Sequence, residues 1–312
     1  MTWTTRLRLR HLQLLICLAE TGSISDAARA AHTTQPGLSK WLKDLEEDAG
    51  ATLFERHARG LRPTAEGTVL ISHVRRMLNE MERAQSSMDA LKEGSAPSII
   101  IGTSPASAPS LVPAAIGYFH ALHPRAHVSL HENTMNVLLE RLELGQLDLV
   151  VGRLDNYKPR TTLRSRMLFS EPMRVIARPG HPLTLRSHLG WNDLAAFEWI
   201  LWPDGTPIRQ RLDSALSNAG LKPLSSQIES SSLMANLWMI QNSDMLSIAS
   251  GRVAEHFTRR GLIAALDFNM NADGYIGICW RDAPYIDSTV LDFQECLLKA
   301  SHPDEHTLDK PL

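Results

Sequence analysis

Ser23-Ile-Ser-Asp-Ala-Ala-Arg-Ala-Ala31-His-Thr-Thr34-Gln-Pro-Gly-Leu-Ser-Lys40-Trp-Leu-Lys-Asp-Leu-Glu46 is the stretch that decides the fold. Ser23 or Ser25 is placed to cap a first helix, which carries Ala27-Ala28 and Ala30-Ala31. His32-Thr33-Thr34 reads as a tight turn. Thr34 then N-caps a second helix, with Pro36 in the first turn, where its missing N–H costs nothing. Leu38, Leu42 and Leu45 recur at helical spacing and form a buried stripe. Gln35, Gly37, Ser39, Lys40 and Lys43 are left on the exposed side. Two short helices, a turn and a polar-basic second helix give a helix-turn-helix over about 24–43, whose second helix meets DNA base edges with its N-terminal residues.

The flanks extend this reading. Upstream, Leu12, Leu15, Ile16 and Ala19 share one helix face, and Gly22 ends that helix. Downstream, Leu53-Phe54 leads into a hairpin that holds Arg56, His57, Arg59 and Arg62, with Gly60 at its tip. The whole chain carries 32 Lys and Arg against 34 Asp and Glu, a formal charge of -2, so total charge does not announce nucleic acid. The distribution is more informative: bases gather at the extreme N-terminus, at 40–43 and at 56–62, and acids at 44–48. Gln35 can read adenine in a bidentate way. Ser39 and Lys40 are short- and long-reach donors to phosphate or base. Lys43 and Arg56 are further candidates for DNA contact, although Arg56 serves equally well as an internal ion-pair partner. Trp41 either packs on the domain or lies along the DNA backbone.

Ser23-Ile-Ser-Asp-Ala-Ala-Arg-Ala-Ala, Thr34-Gln-Pro-Gly-Leu-Ser-Lys, Leu45-Glu-Glu-Asp-Ala-Gly, Leu53-Phe-Glu-Arg and Leu61-Arg-Pro-Thr-Ala-Glu-Gly together resemble the DNA-binding domain of LysR-type transcription regulators. The resemblance runs unbroken over about 60 residues. It implies a winged helix-turn-helix at 7–64 whose wing enters the minor groove, with Arg59 the residue for insertion there. The candidate DNA-binding set is therefore Thr34, Gln35, Pro36, Gly37, Ser39, Lys40, Lys43, Arg56 and Arg59.

Leu70, Val74, Met77, Met81, Ala84, Met88 and Leu91 alternate spacings of four and three, a heptad seam with charged flanks such as Arg75, Arg76, Glu80 and Glu82. A long helix with one narrow apolar stripe wants a partner. The expectation is an intermolecular coiled coil over 65–95 that makes a dimer or tetramer; the competing reading is a seam packed on the same chain. Gly94-Ser-Ala-Pro97 reads as a hinge.

Beyond it, strands and helices alternate, which implies an α/β domain with a largely parallel sheet. Strands are expected at 98–102, 127–131, 147–151, 173–177, 199–202, 226–229 and 245–249. A last pair is expected near 262–266 and 275–280, with helices between and one to about Ala300. Gly102 to Leu111 and Gly145-Gln-Leu-Asp-Leu-Val-Val-Gly152 are similar to the bilobal, periplasmic-binding-protein-like (type 2) effector domain of the same family. The resemblance implies an effector domain at 96–302, with one lobe at about 96–170 and 267–302 and the other at about 171–266. Ligands in such folds bind where helix N-termini meet strand ends. The candidates are Ser104, Ser107, Thr134, Arg153, Trp202, Thr206 and Ser232. Their hydroxyls suit an anionic or polyhydroxylated molecule. Arg153 meets either a ligand carboxylate or, structurally, Asp148 or Asp155. Trp202 either walls the cleft or belongs to the core. Val150-Val-Gly-Arg-Leu and Gly205-Thr-Pro resemble regulators of sugar uptake and aromatic-acid breakdown, implying an organic acid, aromatic acid or sugar as effector. RNA polymerase is a further possible partner.

Three separated cysteines (Cys17, Cys279, Cys296) make no disulfide or metal framework and read as buried thiols in a reducing compartment. No run of 18 apolar residues suggests a membrane span. The basic-then-apolar segment at 6–19 imitates a signal peptide but runs straight into Glu20. No Gly-x-Ser-x-Gly, Gly-x-Gly-x-x-Gly, P-loop or His-Glu-x-x-His occurs, so neither enzyme nor cofactor is expected. His120-x-x-His123 lacks companion ligands. An exported binding protein would explain 97–300 and leave the first 95 residues unused, so a cytoplasmic regulator is the reading that uses the whole chain.

Overall fold

The computed structural model describes residues 3–57, 60–93, 97–155, 161–224, 228–283 and 286–302. The chain divides into two units, 1–95 and 96–312.

In the first unit, α1 (Leu9–Thr21), α2 (Ile24–Ala30) and α3 (Gln35–Ala49) precede a hairpin of β1 (Phe54–His57) and β2 (Gly60–Pro63), followed by the long α4 (Ala65–Glu93). Gly22 closes α1 in the left-handed conformation, with its N–H on Leu18 O at 3.1 Å. Ser23 is the residue that caps α2, its hydroxyl accepting from Asp26 N–H. Leu15, Leu18, Ala27 and Leu38 form a fully buried centre, closed by Leu42, Leu45, Leu53, Phe54 and Leu61. Of the stripe expected on α1, Leu12 and Leu15 are buried, whereas Ile16 and Ala19 are half-buried and Leu14 and Leu18 complete the face.

The hairpin pairs antiparallel, Phe54 opposite Pro63 and His57 opposite Gly60. It is held against α1 by Leu61 N–H on Gly22 O at 2.6 Å. Gly60 is required there: its φ is +119°, and a Cβ would stand 2.5 Å from Gly22 O.

The second unit contains β3 (Ser98–Thr103), α5 (Leu111–Leu122), β4 (His127–Glu132), α6 (Met135–Glu143), β5 (Leu149–Arg153) and β6 (Leu163–Ala177). It continues through α7 (Trp191–Leu194), β7 (Ile200–Leu201), α8 (Pro207–Asn218), β8 (Ile228–Glu229), α9 (Leu233–Gln241) and β9 (Ser247–Ser250). It ends with α10 (Gly251–Arg259), β10 (Ala264–Ala265), β11 (Asp273–Arg281) and α11 (Ser288–Ser301).

The main sheet runs β10-β6-β11-β5-β3-β4, with β9 also on β6. It is mixed rather than largely parallel. β3 pairs parallel with β4 and β5, but β11 is antiparallel to β5 and β6, and β6 is antiparallel to β9 and β10. The strands near 262–266 and 275–280 are not partners: β6 lies between them.

Three cores pack on this sheet, the smallest built from Leu138, Leu142, Leu147 and Val150. Ile99, Ile101, Phe119 and Phe293 centre one lobe, the two phenyl rings meeting edge-on at 5.5 Å. Val175, Ile176, Ile200, Leu212 and Ile240 centre the other. The chain crosses between lobes twice, side by side. β6 passes through Pro172 and Met173 without a break, and the return strand begins at Asp273, directly opposite Pro172.

Candidate nucleic-acid interface and ligand cleft

The second helix of the helix-turn-helix starts as its residues dictate. The Thr34 hydroxyl accepts from Gly37 N–H at 3.3 Å, and Pro36 occupies the first turn. Leu38, Leu42 and Leu45 turn inward. Thr34, Gln35, Pro36, Gly37, Lys40 and Lys43 are exposed and Ser39 is half-buried. Lys43 lies 3.6 Å from Glu47 on the same helix, an exposed pair worth little. Arg56 is exposed on β1, and Arg59 lies outside the described residues. Trp41 takes the packing option: it leans on the core, with its ring 5.3 Å from that of His11. Burial, then the charges of Arg10 and Arg8, hold His11 below its ordinary pKa.

The acids at 44–48 include two structural groups that pattern alone did not assign. Glu46 Oε1 accepts from Leu53 N–H at 2.7 Å and Phe54 N–H at 3.0 Å, fixing where the wing begins. Asp48 receives Arg6 at 2.8 Å.

The heptad seam divides. Val74 is 1% exposed and belongs to the core of its own unit, with Leu70 half-buried against it. For Val74 the own-chain reading therefore replaces the intermolecular one, because α4 begins by packing on α1 and the wing. Met77, Met81 and Met88 are 55%, 54% and 59% exposed, and Ala84 is exposed with them. The side chain of Leu91 lies outside the described residues.

In the second unit a cleft of about 470 Å³, mouth included, opens at the strand ends between the lobes. Ser104, Thr134, Arg153, Trp202 and Thr206 all line it. An adjoining outer chamber shares Pro105, Thr134 and Leu233 and adds Glu132, Asn133 and Ser232.

Several of these polar groups are already occupied. Arg153 is buried and makes its ion pair with Asp155; it also donates to Ser250 Oγ at 3.0 Å and Glu171 O at 3.0 Å. Asp148, the other partner considered, instead accepts from Ile100 N–H. Trp202 is both wall and core, with its indole N–H on Ile248 O at 3.0 Å. The Thr206 hydroxyl donates to Pro203 O at 2.7 Å, and Ser232 Oγ caps α9 by accepting from Ala235 N–H.

Ser107 must be removed from the ligand set. It is fully buried, does not line the cleft, and donates to Val151 O at 2.9 Å beside the hydroxyl of Thr103. It fastens the loop after β3 to β5. Ser104 differs: its Oγ is buried without a hydrogen-bond partner.

Arg153 and Asp155 belong to an ion cluster that packs the crossing between lobes. Asp155 also accepts from Tyr275 N–H at 2.7 Å. Gly274 leaves them room, since a Cβ there would collide with both Arg153 and Asp155. Glu171 accepts from Arg252 N–H at 2.6 Å, but burial drives its carboxyl above the ordinary carboxylate pKa.

Of the remaining features, Cys279 and Cys296 are buried and Cys17 is only half-buried. His123 pairs with Asp292 at 2.9 Å. Among the described residues no helix is long and apolar enough to cross a membrane.

Comparison with known proteins gives the class. The family profile "Bacterial regulatory helix-turn-helix protein, lysR family" matches residues 9–68, and "LysR substrate binding domain" matches residues 92–301. The regulator GbpR of Azospirillum brasilense is 34% identical over 283 residues, 89% of this chain and 82% of that protein. PcaQ of Agrobacterium fabrum is 28% identical over 277 residues, 88% of this chain and 89% of that protein. The crystal structure of CbnR, a LysR family transcriptional regulator, has the same fold: TM-score 0.66 at 21% identity, over 95% of this chain and all of that one. The chain belongs to the LysR family of DNA-binding transcription regulators, with a helix-turn-helix reader and a ligand-binding unit.

Proposed function

We propose that this regulator binds a two-fold-related operator as a dimer or higher oligomer in the cytoplasm, and that a small molecule in the interlobe cleft shifts how the readers are spaced. Gln35 reads a base edge in the major groove, flanked by Ser39 and Lys40. Lys43 and Arg56 meet phosphates, and Arg59 enters the minor groove. Met77, Met81, Ala84 and Met88 form the seam between two copies, a narrow stripe on a charged helix. One reader alone is small for tight specific binding, which favours pairing. The observation that carries the reading is the start of α3, where Gln35 and Lys40 stand exposed and Leu38, Leu42 and Leu45 hold the helix rigidly from behind.

The test is footprinting on the DNA upstream of the chain's own gene, at two salt concentrations. Protection of two related half-sites, steeply salt-dependent, is expected. Gln35→Ala is expected to weaken the specific site by about 10- to 100-fold, the worth of one bidentate base contact. A Gln35→Ala footprint matching that of the unaltered chain at the same protein concentration defeats the assignment.

A further inference from the structure

We infer that the interlobe cleft takes a ligand without negative charge, a mostly apolar molecule carrying a hydroxyl donor, rather than an organic acid. The inference rests on the reading that this cleft holds the effector. Pro105, Met135, Trp202, Ile208, Leu233 and Val253 make most of the inner wall. Such a wall rewards a ring or an alkyl chain, because burying apolar surface is its main source of affinity.

The cation that lines the cleft is spoken for. Arg153 is held by Asp155, Ser250 and the Glu171 carbonyl. Arg209, which lies 3.0 Å from Asp213 and 3.4 Å from Asp204, and Arg211, which shares Asp155 at 3.6 Å and keeps a buried Nε without a hydrogen-bond partner, do not line the cleft. A carboxylate entering here would lose its water and gain no unpaired positive charge among the described residues that line the cleft, a net cost.

The mouth argues the same way. Glu132 is the ionisable side chain lining the outer chamber, and no Lys, Arg or His among the described residues pairs with it. Partial loss of water around its carboxyl lifts it above the ordinary pKa although the residue as a whole is exposed. A carboxylate at the entrance repels an anion and accepts a hydrogen bond from a hydroxyl. At the inner end, the buried and unpartnered Ser104 hydroxyl awaits a polar atom, and leaving it unmatched is costly.

Matched pairs of alcohol and acid test this on the full-length protein: phenylethanol with phenylacetate, octanol with octanoate, naphthylmethanol with naphthoate. Calorimetry and thermal shift are expected to show the alcohol binding at a concentration at least about tenfold lower than its acid, equivalent to about 1.4 kcal/mol. In Glu132→Gln the acid should gain and the ratio narrow. Because Glu132 is exposed at the mouth, this variant is expected to keep its fold. Acids that bind as well as their alcohols, or no alcohol binding up to millimolar concentration, overturn the inference. Gel retardation on the upstream DNA with the same protein reports separately. Retained DNA binding with a preference for acids strikes the ligand class alone, whereas lost DNA binding strikes the regulator assignment.

Discussion

The reader and the ligand-binding unit use polar side chains in opposite ways. In the reader, Gln35, Lys40 and Arg56 project from rigid elements, and structural duties fall to separate residues such as Glu46 and Asp48. In the ligand unit the same residue types are drawn inward and consumed. Arg153, Ser107 and Thr206 are all buried with partners inside the chain. An exposed donor on a helix is therefore informative about DNA, whereas a hydroxyl or guanidinium near a cleft says little until its bonds are traced.

Four substitutions, in three tests, put this contrast at risk. The largest effect is expected from Arg153→Ala, which leaves Asp155 buried without its main charge partner. About 3–5 kcal/mol of local stability should be lost, as when one member of a buried pair is deleted. Hydrogen exchange should rise in peptides of 97–302 and stay unchanged in those of 3–57. Equal loosening of both units, or none, would break the contrast.

The second test concerns the division of α4. Val74→Ala should cost the reader about 2 kcal/mol through lost packing. Met81→Ala should cost its fold under about 0.5 kcal/mol and instead weaken self-association on dilution, read by sedimentation. If Val74→Ala changes association alone, the helix has been divided at the wrong place.

The smallest effect concerns pH. Glu171 has its folded pKa raised by burial, so its contribution favours the folded state below its unfolded pKa and is lost as pH rises through the folded value. Glu171→Gln should remove that slope. Its melting temperature relative to the unaltered chain is then expected to be higher at pH about 8 than at pH about 5. A difference that does not change between those pH values would show that the neighbouring Arg153 and Arg252 compensate the buried charge.

How much was legible follows the range of the interactions. The helix-turn-helix was readable because its signals are local: Ser23 and Thr34 cap, Gly22 stops, and leucines repeat at helical spacing. The first half of β6 was not, because Leu163-Arg-Ser-Arg-Met is largely exposed and Pro172 sits within the strand. The antiparallel direction of β6 and β11 was missed for a different reason: those strands were expected in place, but a strand returning from the other lobe leaves no mark of its direction in its own residues. α10 was overlooked because its buried stripe is only Val253 and Ala254 after a glycine start. The loops named from sequence do line a cleft, but the partners of Arg153 come from residues as far away as Ser250, beyond any spacing rule.

The paired crossing between lobes has a mechanical consequence. Pro172 in β6 and Asp273 in β11 face each other in register, so two adjacent strands form the joint. A ribbon of two strands bends and twists easily but resists sliding, since a slip by one residue would turn every side chain to the wrong face. Hinging of one lobe against the other would therefore turn about a short axis at Pro172, close to the Glu171 carboxyl and the Arg153–Asp155 pair. Bulk added to the ligand far from that axis is geared down in angle, and bulk added close to it is geared up.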